Sequence, residues 1–263
     1  MKIAVSGATG RMGKLILEAV LASDDLELTA ALTAPGSNEI GTDAGSALGR
    51  TTGVLISSDT AELAKADILI DFTRPEATLS YLPICKANDV GVVIGTTGFD
   101  AEGKKRITEA SEKVPVVFAP NMSVGVNTVF KLLELAGGML ANYDCEIVEM
   151  HHKHKVDAPS GTALEMGRRV AQGRGVDFDS VAVLSREGRT GERSEGTIGF
   201  AALRGGDVVG DHTVIFAGPG ERIEISHKSG SRAGYAQGAV TAARFLKDKT
   251  SGLFSMSDVL GFK

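Results

Sequence analysis

The chain has 263 residues, 43% of them apolar and 23% charged, which suits one large or two modest domains with sizeable cores. Its 33 acidic and 28 basic residues leave a net charge of −5, and with no Trp and three Tyr this excludes a protein that coats nucleic acid. Apolar runs such as 91–95 and 114–120 fall far short of the roughly 20 residues that cross a bilayer, and Ile3-Ala4-Val5 is too short for a signal-peptide core, so a cytoplasmic protein with no membrane partner is expected.

The first half alternates strand and helix signals. Strands are expected at 2–6, 26–32, 67–72, 91–94 and 114–119, and Met12, Leu15, Ile16, Ala19 and Val20 recur at helical spacing after the first. Further helical patterns cover 75–88 and 101–113. Regular alternation of this kind predicts an α/β fold with a parallel sheet and helices on both faces. The pattern changes after Asn121. A long helix is expected over 123–140, a strand over 145–151, a helix from about Thr162 to Gln172 and an exposed loop over 185–197. Strands at 197–204, 211–217 and 221–226 give this middle region an α+β, mostly antiparallel character, before a helix at 233–247 and a tail that packs back on the first domain. Cys85 and Cys145 form no disulfide framework or metal-spaced set and read as small buried residues.

Ser6-Gly7-Ala8-Thr9-Gly10-Arg11-Met12-Gly13 joins the first strand to the first helix, and Gly7, Gly10 and Gly13 form a close variant of the dinucleotide fingerprint. Glycine is needed there because the turn is tight and a pyrophosphate must approach the backbone beside a helix N-terminus. The bland alternative is a glycine-rich turn without a ligand. Twenty residues on, where NAD-binding chains place an acid, stands Thr33, followed by Ala34 and Pro35; its neutral hydroxyl suits either ribose form, so NADPH and NADH both stay open. Arg11 and Lys14 supply positive charge nearby. Gly95-Thr96-Thr97-Gly98 and Ala119-Pro120-Asn121-Met122 follow two further strands at their C-terminal ends, where ligands of open α/β sheets bind.

Three of the five histidines fall in His151-His152-Lys153-His154-Lys155, followed by Asp157 and by Thr162-x-x-Glu165, which reads as a capping box. Three imidazoles and a carboxylate suggest a metal site, but Lys153 and Lys155 would repel a dication, and neighbours in an extended segment point to opposite faces. No metal is therefore expected. Lysines beside the helix start at Gly161-Thr162 suit an anionic small molecule, a carboxylate above all, and a histidine there suits proton transfer near neutral pH.

These segments resemble the 4-hydroxy-tetrahydrodipicolinate reductases, also called dihydrodipicolinate reductases, of bacterial and plant lysine biosynthesis. The resemblance rests on Gly7–Gly13, Asp71-Phe72-Thr73-Arg74-Pro75, Ile94-Gly95-Thr96-Thr97-Gly98-Phe99, Asn121–Asn127, the block from Glu149 to Ala163, Ser185–Arg193, Ser226-His227-Lys228 and Ser251–Phe254. It covers essentially the whole chain in order. It implies a Rossmann-like dinucleotide domain over 1–122 and 233–263, and a substrate-binding domain over 123–232 that builds a homotetramer. It also implies NADPH or NADH on Gly7, Ala8, Thr9, Gly10, Arg11 and Met12, on Gly95, Thr96 and Thr97, and on Ala119, Pro120, Asn121 and Met122. It further implies that a small dicarboxylate substrate is held by His152, Gly161 and Thr162, and that His151 and Lys155 transfer protons. The chain departs from many members at Thr33-Ala34, where an acid and an arginine are common, and at Met122, where many carry Phe. Two other readings compete: a catalytically silent dinucleotide sensor, and a metal-dependent hydrolase on His151, His152 and His154.

Overall fold

The computed structural model describes residues 1–262; Lys263, the last residue of the expected first domain, lies outside them. Two compact units form, Met1–Val124 with Arg232–Lys263, and Gly125–Ser231. In the first, β1 (Lys2–Ser6), α1 (Arg11–Leu21), β2 (Glu27–Leu32), β3 (Ile56–Ser57), β4 (Ile68–Asp71), α2 (Pro75–Ala87), β5 (Gly91–Ile94), α3 (Ala101–Ser111) and β6 (Pro115–Phe118) follow in turn. The chain then enters the second unit with α4 (Val124–Met139), β7 (Asp144–His151), α5 (Gly161–Arg174), α6 (Phe178–Val181), β8 (Ala182–Val183), β9 (Ile198–Arg204), β10 (Gly210–Gly218) and β11 (Glu221–Ser229). It returns through α7 (Ala233–Leu246), β12 (Gly252–Phe254) and α8 (Met256–Val259) to the first.

The first unit is a seven-stranded sheet in the order β12-β6-β5-β4-β1-β2-β3, every pair parallel. Its inner strands are near-continuous apolar runs because both faces are covered. Alternate residues divide between two cores: Ile3, Val5, Ile70 and Val93 pack with Ile16, Val20, Ala239 and Val240 of α1 and α7, while Ala4, Leu69, Val92 and Ile94 pack with Leu82 and Ile107 of α2 and α3. Strand order runs outward from β1 in one direction to β3 and from β4 in the other to β6, so the switch point lies between β1 and β4. This is the Rossmann-like arrangement expected. The edge strands β3 and β12, of two and three residues, are too short to show a period and were not predicted.

The second unit has the order β11-β10-β7-β9-β8. The expectation of mostly antiparallel pairing needs correction: β10 pairs antiparallel with β7 and β11, but β9 pairs parallel with β7 and β8. The reason is the long crossover through α5, which returns the chain in the same direction. One face of this sheet buries Cys145, Ile147, Phe200, Val214 and Phe216 against Val129, Leu133, Met166 and Val170 of α4 and α5. The stretch 185–197 forms no helix or strand, as expected, yet Arg186 and Arg193 pin it to Glu146 of β7 at 2.8 and 3.0 Å.

Candidate active site

In the first unit the loops after β1, β2, β4, β5 and β6 gather at the C-terminal edge of the sheet. Gly7 has φ +67°, and a Cβ there would sit 3.0 Å from Thr73 Cγ2 and 3.2 Å from the Phe72 carbonyl. A Cβ on Gly13 would lie 1.9 Å from the Gly7 carbonyl oxygen, so only glycine lets α1 seat against the turn. No side chain caps α1, and the N–H groups of Arg11, Met12 and Gly13 find no acceptor among the described residues. A cradle of this shape with free amides fits a dinucleotide pyrophosphate.

Around it, Thr33 is buried with its hydroxyl 2.8 Å from that of Thr9, which ties the end of β2 to the glycine loop. Arg11 is exposed, and Lys14 pairs with Glu39 at 3.6 Å. A Cβ on Gly95 would strike the Phe72 ring at 2.3 Å, and Thr96 is buried with its hydroxyl accepting from Thr73 N–H at 2.9 Å. Thr97 and Pro120 are exposed at the rim. Ala119 donates its N–H to the Ile94 carbonyl, and Asn121 accepts from Ser123 N–H at 2.9 Å. Met122 differs in kind: its side chain is buried in the core with α7, which leaves only its backbone for a ligand.

Beneath these loops lies a residue to which sequence reasoning gave no role. Asp71 is fully buried and accepts from Ser6 and Thr73 at 2.6 Å each, from Thr78, and from Thr96 at 3.3 Å. Burial pushes its carboxyl up while the four hydroxyls oppose that shift. An acid closing an apolar strand, Ile68-Leu69-Ile70-Asp71, was the available signal.

In the second unit the histidine run does not act as one cluster. His151 is the buried last residue of β7, His152 is half-buried and His154 is exposed. His151 Nδ1 lies 2.6 Å from Glu149 Oε2. Arg204 of β9 clamps Glu149 with both terminal nitrogens at 2.8 and 2.9 Å, and Ser160 N–H donates to its other oxygen at 3.1 Å. Register sets Glu149, His212 and His227 opposite one another across β7, β10 and β11, and Arg204 opposite His151. The rings of His151 and His212 are 5.0 Å apart, edge to face, and His212 Nε2 is 3.0 Å from Ser160 Oγ. Burial, then the neighbouring His151, pushes His212 down to about 4, so it is neutral at neutral pH. Burial alone would raise the Glu149 carboxyl, but Arg204, His151 and the Ser160 amide hold it below its ordinary value and keep it ionised.

The capping box expected at Thr162 and Glu165 does not form. Ser160 has the extended backbone of a cap and accepts from Ala163 N–H at 3.1 Å, whereas Thr162 is already helical and Glu165 pairs with Arg169 at 2.7 Å. The N–H groups of Gly161 and Thr162 have no acceptor among the described residues. Lys155 Nζ donates to both oxygens of Asp157 at 2.7 and 2.8 Å, and burial pushes the Cys85 and Cys145 thiols up to about 12, which removes them as nucleophiles. Among the described residues no three His, Cys, Asp or Glu side chains are grouped to hold a metal ion. Sequence reasoning overlooked Glu149, Ser160, Arg204 and His212 as participants. Of these only Glu149 had a local signal, since two residues apart on a strand share a face.

Known proteins resemble the chain along its full length. The family described as dihydrodipicolinate reductase, N-terminus, matches residues 1–122, and that described as dihydrodipicolinate reductase, C-terminus, matches residues 125–260. Relatives from Cupriavidus metallidurans and Polynucleobacter necessarius, both named 4-hydroxy-tetrahydrodipicolinate reductase, are 61% and 58% identical, with 100% of this chain and of each relative covered. A dipicolinate-bound dihydrodipicolinate reductase from a Paenisporosarcina species superposes with a TM-score of 0.77 at 26% identity over 97% of both chains. A probable dehydrogenase from Thermotoga maritima shares the fold, with a TM-score of 0.61 at 16% identity over 98% of this chain and 92% of its own.

Proposed function

The chain belongs to the dihydrodipicolinate reductase family, and from that premise we propose that it reduces 4-hydroxy-tetrahydrodipicolinate to tetrahydrodipicolinate, with NADPH or NADH, in the diaminopimelate route to lysine. The substrate loses its hydroxyl as water and gains one hydride and one proton. The bound dinucleotide supplies the hydride. The observation that carries the reading is His151, with one ring nitrogen on an ionised carboxylate, on the same sheet unit as the unpaired amides of Gly161 and Thr162.

His151 and Lys155 handle the proton in this reading, and His152 with the Gly161 and Thr162 amides holds a substrate carboxylate at the start of α5. Gly7, Ala8, Thr9, Gly10, Arg11 and Met12, with Thr33, Gly95, Thr96, Thr97, Ala119, Pro120, Asn121 and the Met122 backbone, hold the dinucleotide in the first unit. A silent nucleotide sensor would use that cradle and leave His151 and Lys155 idle; membership of a reductase family speaks for the enzyme.

The proposed setting is the cytoplasm, and no helix among the described residues is long and apolar enough to cross a membrane. The proposed assembly is a homotetramer. It is supported by the second face of the five-stranded sheet, where Val148, Met150, Ala201 and Leu203 sit side by side in register and Leu203 is 51% exposed. The test of function is substrate-dependent oxidation of each reduced nicotinamide, with substrate made in the cuvette from pyruvate and aspartate semialdehyde by the preceding synthase. His151→Gln and Lys155→Ala are each expected to cut turnover by about 10²–10⁴ while nucleotide affinity holds. Full turnover in both variants overturns the site.

A further inference from the structure

Glu149 is 1% exposed, and a carboxylate at that depth needs its charge answered. Arg204 answers it most directly, through two bonds of 2.8 and 2.9 Å. Yet the carboxylate does more than pair. One oxygen takes Arg204 and the His151 ring nitrogen; the other takes Arg204 and the Ser160 amide at the start of α5. Every acceptor direction of a buried anion is thus spent on three elements: β9, the end of β7 and the α5 cap.

An ionised carboxylate only accepts, so the proton in the 2.6 Å contact belongs to His151 Nδ1. Fixing it there leaves Nε2 as the nitrogen that gains and loses a proton. The Nε2 edge faces Gly210 of β10, where a Cβ would come within 2.9 Å, and it has no hydrogen-bond partner among the described residues. We propose that Glu149 is the positioning residue of the proton-transfer step: it holds His151 as the Nδ1–H tautomer with Nε2 presented to substrate, and by the same carboxylate it sets the α5 cap whose amides receive the substrate anion. Gly210 keeps the Nε2 edge open. The proposal rests on the reading of His151 as the proton-transfer group.

The other groups facing this ring are His212 of β10, with His227 of β11 beyond it, Arg204 of β9, and Lys155 with Asp157 in the loop that follows. His212 is neutral and Lys155 is answered by Asp157. The Glu149 carboxylate is therefore the anion in direct contact with the His151 ring.

The test uses the full-length enzyme and compares Glu149→Gln, His151→Gln and the double variant by kcat and KM across the neutral pH range. Glu149→Gln is expected to lower kcat about tenfold or more and to raise KM for the substrate but not for the nicotinamide nucleotide. In kcat it adds nothing on top of His151→Gln, while the rise in substrate KM persists in the double variant. A role only in holding the sheet together would lower thermal stability and leave kcat and the substrate KM of the folded enzyme where they are, and that result overturns the proposal. Should His151→Gln itself turn over normally, the reading of His151 falls, which is a separate failure from an unchanged Glu149→Gln. Where the unpaired Arg204 prevents Glu149→Gln from folding, long-range proton–nitrogen spectra of the unaltered enzyme decide the matter. A neutral His151 ring protonated at Nδ1 supports the proposal, and one protonated at Nε2 ends it.

Discussion

At the residue scale, Thr33 shows how a neutral side chain leaves a cofactor choice open. Its hydroxyl is committed to Thr9, and the next acid along the chain, Glu39, is committed to Lys14. No unpaired carboxylate therefore follows β2 to repel a 2′-phosphate or to claim a free 2′-hydroxyl. Thr33→Asp keeps an acceptor for Thr9 and adds a charge. A carboxylate within a few ångströms of a phosphate costs about 1–2 kcal/mol after screening, roughly a factor of ten or more. The variant is expected to lose at least about tenfold in kcat/KM for NADPH and little for NADH, read as the ratio of the two. An unchanged ratio would remove Thr33 from the nucleotide site. The glycines were legible because their demand is local: the clash of a Gly13 side chain with the Gly7 carbonyl is built into one turn. Asp71 was only half legible: Thr73 and Thr78 follow it within seven residues, but Ser6 and Thr96 belong to distant segments that only the sheet brings to it.

At the scale of elements, alternation and helical spacing placed the strands and helices around the site to within a few residues, since burial on one or two faces writes a period into the chain. What alternation does not carry is register. Glu149 and His151 share a face of β7 by period two, but Arg204 and His212 reach them only through pairings with β9 and β10. That pairing has a consequence for β10. With His212 held near 4 instead of 6.5, the unfolded chain takes up a proton between those values that the folded chain refuses. Stability is thus complete above about pH 6.5 and falls as pH drops through the window toward 4. Denaturant unfolding is expected to show about 2 kcal/mol more loss between pH 7 and 5 in the unaltered protein than in His212→Gln. Parallel curves for the two proteins would mean that His212 titrates normally.

For the whole molecule, the long block from Glu149 to Ala163 made the family legible, whereas the assembly is argued from a surface. The five-stranded sheet has a face packed against α4 and α5, and a second face that carries Val148, Met150, Ala201 and Leu203, with the pinned segment 185–197 attached through Glu146. Apolar side chains in register on a partly exposed sheet face are what a second copy of the same chain would bury. Leu203→Glu tests this with little risk to the fold, because the side chain is half exposed and outside the core. If like faces meet, each carboxylate approaches its own copy as well as losing apolar contact, and both effects weaken assembly. Light scattering is expected to show four chains for the unaltered protein and smaller species for Leu203→Glu at the same concentration, with circular dichroism unchanged. The thermal midpoint of the unaltered protein should also rise with concentration, since association stabilises only the folded chain. A single-chain mass for the unaltered protein, or a variant that stays fully assembled, would place the interface elsewhere or remove it.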